Sequence, residues 1–126
     1  MDQNVILFFN ENQQALPLYE SFEQKVLESV EDVHIRVQKT QISFSNKHNF
    51  AFVSFLPVRK AKERPASFIV VTFGLQRRVE SGRIDAVVEP YPNRFTHHVL
   101  ISKPEEIDGE LMGWVKEAAV FCAGKR

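Results

Sequence analysis

Hydrophobic positions change their period midway through the stretch Lys39 to Leu56, K-T-Q-I-S-F-S-N-K-H-N-F-A-F-V-S-F-L. Ile42 and Phe44 alternate with Gln41, Ser43 and Ser45, the pattern of a strand with one face in water. Phe50 to Leu56 is apolar at nearly every position, which predicts a strand covered on both faces or nearly so. The polar turn Asn46-Lys47-His48-Asn49 joins the two. The rest of the chain reads as covering or extension of this hairpin.

Before the hairpin, Asp2 to Phe9 fits a short helix or a strand equally well. A helix is expected to begin between Glu11 and Pro17, with Pro17 in its first turn, and to run to about Val30. Leu18, Phe22, Val26 and Val30 recur every four residues and give it one apolar stripe. Val33, Ile35 and Val37 alternate with His34, Arg36 and Gln38 and predict a further strand.

After the hairpin, Val58 to Ala66 reads as a basic loop. Phe68 to Phe73 (F-I-V-V-T-F) reads as a buried strand ended by Gly74, and Gln76 to Arg83 as a polar turn region. Ile84 to Val88 predicts a strand stopped by Pro90-Tyr91-Pro92-Asn93, and Phe95 to Ser102 the last strand. Ser102-Lys103-Pro104-Glu105-Glu106 has the features of a helix start: a capping serine, proline in the first turn and carboxylates near the positive end of the dipole. Ile107, Leu111, Trp114, Val115, Ala118, Ala119 and Cys122 form that helix's buried stripe. Gly109 and Gly113 weaken it unless they admit a close neighbour, and Gly124 ends it before a basic tail. This order of elements predicts one α+β domain over residues 1–126. An antiparallel sheet of five to six strands would carry an N-terminal and a C-terminal helix packed on one face.

A length of 126 residues, 44% apolar residues and eleven Phe are enough for a core without disulfides or metal. The one cysteine, Cys122, favours a reducing compartment. The apolar run Val5 to Phe9 is far too short for a membrane span and has no basic segment before it, so a soluble cytoplasmic protein without membrane partners is expected. The net charge of zero is a cancellation. Residues 1–33 carry one basic and seven acidic residues, residues 34–103 twelve and four, and residues 104–126 three and five. A basic middle of this kind attracts phosphate, nucleic acid or an acidic protein, or else balances the acidic helices within one molecule.

Catalytic motifs are few. His97 and His98 are adjacent on a strand and point to opposite faces, so they cannot share a metal, and no ligand spacing such as H-E-x-x-H or paired C-x-x-C occurs. With Phe95, Val99 and Ile101 in the core, His97 faces the core and His98 faces away. Cys122 lies on an apolar stripe and reads as a small hydrophobe. No G-x-S-x-G, P-loop or G-x-G-x-x-G is present. Asp85 and Glu89 share a strand face too far apart for a dyad and read as solvated. No metal or cofactor is expected.

Four stretches taken in order carry a resemblance. They are L-Y-E-S-F-E at Leu18 to Glu23, K-T-x-I-x-F at Lys39 to Phe44 with F-A-F after the turn, R-F-T-H-H-V at Arg94 to Val99, and I-D-G-E-L-M-G-W-V-K-E-A at Ile107 to Ala118. From about Phe8 onward the chain resembles an uncharacterised prokaryotic domain family of unknown function. That family occurs alone or at the end of longer chains, some labelled as predicted transport proteins. The resemblance brings no activity with it. It implies that Lys39, Arg94, Phe95, His97 and His98 sit in the stretches by which members are recognised, which suits a shared pocket or a shared structural hydrogen bond.

The function expected from these residues is a non-catalytic binding module for an anionic ligand, nucleic acid or nucleotide. Arg36, Lys39 and Arg94 would meet phosphate oxygens, and His97 or His98 would donate a hydrogen bond. A small hydrolase or nuclease with His97 or His98 as general base and Lys39 stabilising charge is the alternative from another class. A protein-interaction domain or homodimer using a sheet face or edge is a third.

Overall fold

A computed structural model describes residues 2–124; the basic tail, Lys125 and Arg126, lies outside the described residues. A short first helix, α1 (Gln3–Phe8), leads through a 3₁₀ turn into α2 (Leu16–Ser29). Six strands follow: β1 (His34–Val37), β2 (Gln41–Ser45), β3 (Asn49–Ser54), β4 (Ile69–Leu75), β5 (Ala86–Tyr91) and β6 (Arg94–Ile101). The chain closes with α3 (Gly109–Ala123). The strands form one antiparallel sheet in the order β1-β2-β3-β4-β6-β5. This is the α+β architecture expected from the pattern, with α2 and α3 on one face. No helix among the described residues is long and apolar enough to cross a membrane.

Two rows of directly opposed residues show what each face is made of. Ile35, Phe44, Ala51, Phe73, His97 and Val87 form one row across all six strands and face the helices. Arg36, Ser43, Phe52, Thr72, His98 and Ala86 form the next row and lie on the other face. On the helix side, the expected stripe of α3 (Leu111, Trp114, Val115, Ala118, Ala119, Cys122) is buried with Leu18, Tyr19, Phe22 and Val26 of α2. At the end of the hairpin Ser45 opposes Asn49 while Phe44 opposes Ala51, leaving Phe50 as an extra residue on β3. Such a bulge lets two successive side chains serve one face, and Phe50 and Ala51 both belong to the core.

A six-residue helix cannot hold itself in water, and α1 is fixed by rings. Phe8 stacks on Phe55 at 5.4 Å and Phe9 meets Phe55 edge-on at 5.4 Å, while Phe9 also reaches Tyr19 of α2 at 5.3 Å. This cluster holds α1 at the end of the sheet where β3 leaves and β2 begins.

Four expectations are corrected by tertiary context. β4 does not stop at Gly74 but continues to Leu75. A Cβ at Gly74 would lie 2.8 Å from Arg94 Nε, so the glycine makes room for a guanidinium rather than for a turn. β5 runs through Pro90, because Pro90 falls on an edge strand at a register shift between Val88 and Tyr91, where no ladder hydrogen bond is needed. The turn is Pro92-Asn93, with Asn93 at φ 64. The last helix does not start at Ser102. Glu106 Oε1 accepts from the Ser102 and Lys103 N–H groups at 2.7 and 3.0 Å around a single 3₁₀ turn. Ile107 then leaves helical geometry to enter the core, and Asp108 caps α3 by accepting from the Leu111 N–H at 3.0 Å.

The fourth correction concerns Gly109 and Gly113. A Cβ at either would meet nothing within 4 Å, so neither serves a close approach. Gly113 lies inside α3 and is exposed. Gly113→Ala is therefore expected to stabilise the domain by about 0.5–1 kcal/mol, read as a rise in the urea midpoint at unchanged slope.

Candidate functional site

The sheet's second face is open beside α1, and there the chain forms a groove of about 760 Å³. Its floor is Phe52, Thr72 and His98 from the middle of the open-face row, with Gln41 and Ser54 beside them. One wall is the end of α1 and the turn after it, Leu7 to Asn12; Phe55 and Leu56 form another, and Lys39 and Thr40 of the β1–β2 turn reach the rim. Leu7 and Leu56 stay 60% and 45% exposed, so the groove offers apolar surface that a ligand could cover.

His98 is half-buried, and Thr72 Oγ1 lies 2.7 Å from its Nδ1. That bond fixes the ring's orientation and leaves Nε2 as the nitrogen without a protein partner among the described residues. Burial pushes the ring's pKa below its ordinary value, so at neutral pH it is an uncharged imidazole with one nitrogen available to a ligand. Lys39 is exposed and joins no ion pair among the described residues.

Of the five residues marked in the sequence, the groove brings together Lys39 and His98. Arg36 lies on the same row as His98 but four strand spacings away, roughly 19 Å. Arg94 stands four residues from His98 along β6, roughly 14 Å. There its guanidinium lies against Gly74 and 5.3 Å over the Phe121 ring, with Nη1 buried and unpartnered. His97 is 0% exposed on the helix face. Its Nε2 accepts from the Val79 N–H at 3.0 Å, and its ring stacks on Phe73 at 5.1 Å. Phe73 stacks in turn on Trp114 at 5.8 Å. Burial, aided by the nearby Arg77 and Arg78 charges, lowers the His97 pKa, and its Nδ1 is buried with no hydrogen-bond partner among the described residues.

Four of the twelve basic residues in the middle of the chain are paired with carboxylates of the same molecule. Arg77 donates to both oxygens of Glu117 at 2.9 and 2.8 Å, and Arg83 reaches Asp108 at 2.8 Å and Glu110 at 3.0 Å. Both pairs tie the β4–β5 connection to α3. Arg78 pairs with Glu80 at 3.1 Å, and Arg59 with Asp85 at 2.7 Å. Asp85, expected in water, is instead part-buried, and its second oxygen accepts from the Leu100 N–H at 2.7 Å.

Sequence reasoning passed over Thr72, Phe52 and the segment Leu7 to Asn12. Only Thr72 left a signal, as the one polar residue inside the run F-I-V-V-T-F. Among the described residues, no group of three or more His, Cys, Asp or Glu side chains is placed to hold a metal ion. No curated protein and no solved structure matches the chain. A family profile does match it from residue 7 to residue 119, spanning the groove and both core helices, and by that match the chain belongs to the domain of unknown function DUF5655.

Proposed function

We propose that this domain is a non-catalytic binding module that takes a small anionic ligand with an apolar or planar body in the open-face groove. The observation that carries the reading is the pairing of an unengaged Lys39 with a free His98 Nε2 over an aromatic floor. A volume of about 760 Å³ falls in the range of small-molecule sites. Of the anions expected from the sequence, a nucleotide-sized molecule suits this groove better than nucleic acid. A nucleic-acid surface needs a run of cations, and the groove lining holds only Lys39.

Calorimetric titration with nucleoside monophosphates and with aromatic carboxylates tests the reading. Lys39→Ala is expected to weaken binding by about 10- to 100-fold, the worth of one charge-assisted hydrogen bond, while Arg36→Ala leaves it unchanged. Equal losses from both would retire the groove as the site.

The hydrolytic alternative now has one supporting observation, the Thr72–His98 contact, which would orient His98 as a general base. His97 has no part in it, being enclosed in the core. Turnover of activated phosphodiesters or esters that disappears in His98→Gln would favour this alternative. Absence of turnover would remove it.

A further inference from the structure

The groove reading leaves open whether the anionic group is a phosphate or a carboxylate, and Glu11 bears on that choice. Glu11 lines the same groove as Lys39, and like Lys39 it is exposed and joins no ion pair among the described residues. The two stand on different flanks. Lys39 also borders a recess of about 330 Å³ with Asn4, Val37 and Gln38. Glu11 borders another of about 380 Å³ with Gln13, Gln14 and Ser67, whose hydroxyl is buried without a partner. Lys39 and Glu11 are thus two opposite charges set apart in one groove, neither held by an ion pair among the described residues.

A phosphate monoester near Lys39 would bring about two negative charges into a groove that already holds a carboxylate, and like charges oppose each other most where water is displaced. A zwitterion with an apolar middle meets both ends instead. A single amino acid would leave most of the groove to water. A short peptide fills it, and the side-chain amides of Asn10, Asn12 and Gln41 each offer a donor and an acceptor to peptide groups.

We infer that the groove binds a short peptide, its C-terminal carboxylate at Lys39, its N-terminal ammonium at Glu11 and an apolar side chain over Phe52 and Phe55. This rests on the proposed reading of the groove as an anion site. The test is ligand-observed NMR with a randomised tripeptide mixture, followed by titration of the best binder in free, N-acetylated and C-amidated forms, with AMP as the phosphate comparator.

Acetylation and amidation are each expected to weaken binding by about tenfold or more. Glu11→Gln should abolish the difference between the free and acetylated forms, and Lys39→Ala the difference between the free and amidated forms. Equal binding of free and acetylated peptide, or AMP binding more tightly than any tripeptide, overturns the peptide inference. If Lys39→Ala still weakens the anion in that case, the broader groove reading survives. No binding by any of these anions overturns both.

Discussion

Replacing His97 with alanine is expected to destabilise the domain by about 4 kcal/mol, a large share of the stability of any domain this size. Two losses combine. The ring is completely buried between the sheet and α3 and stacks on Phe73, so its removal leaves a cavity like that of a truncated aromatic. The Val79 N–H, which donates to Nε2 at 3.0 Å, is then buried without an acceptor. His97→Phe separates the two losses. It keeps the ring and costs only the orphaned donor, about 1–3 kcal/mol. Urea denaturation of the three proteins checks the order. A His97→Phe variant as damaged as His97→Ala would mean that the hydrogen bond, not the filled volume, holds the loop to the sheet.

The same residue sets a pH dependence. Burial holds the folded-state pKa of both His97 and His98 below the ordinary 6.5. The unfolded chain therefore binds protons that the folded one does not. Stability sits on its plateau above pH 6.5 and falls as the pH drops below it. Asp108 and Glu117 add to the fall further down, since their backbone and arginine partners hold both pKa values below the usual carboxylate range. His97→Phe should reduce the slope between pH 6.5 and 5 and leave the share that His98 contributes.

The second large effect is expected at Asp85. Its two oxygens accept from Arg59 and from the Leu100 N–H, each at 2.7 Å, while its own N–H donates to the His98 carbonyl at 2.9 Å. One carboxylate thus fastens the basic loop and the entry to β5 onto β6. Asp85→Ala leaves a buried amide and a part-buried guanidinium unpaired and should cost about 2–4 kcal/mol. Asp85→Asn should fall between alanine and wild type, because a side-chain amide has one accepting oxygen and this position needs two. Arg59→Met should be the mildest, since Leu100 keeps its acceptor. Were Arg59→Met as costly as Asp85→Ala, the ion pair rather than the main-chain contact would hold the corner.

The alternation of Ile42 and Phe44, the four-residue spacing of Leu18, Phe22 and Val26 and the stripe of α3 all act between neighbours in the chain, and all could be read from it. Gly74 and Pro90 misled because what they answer to lies elsewhere: the Arg94 guanidinium for one, an edge position for the other. The Ser102 start was a strong local signal overridden by the burial of Ile107. At the site, Lys39 and His98 could be marked by type, and the opposite facing of His97 and His98 followed from strand geometry. The groove itself could not be read. It is assembled from α1, the β1–β2 turn, β3, β4 and β6, and nothing in Leu7 to Asn12 announces which surface it will stand against.

Pro90 and the irregularity beside it have a consequence for assembly. An exposed strand edge is a template on which further chains can add, the first step toward fibres and aggregates. On β5 that edge carries a proline without an N–H and a break in register, so an incoming strand would find its hydrogen-bonding ladder interrupted. At the far side of the sheet β1 presents only four residues. Both margins of the sheet are thus poor templates for polymerisation.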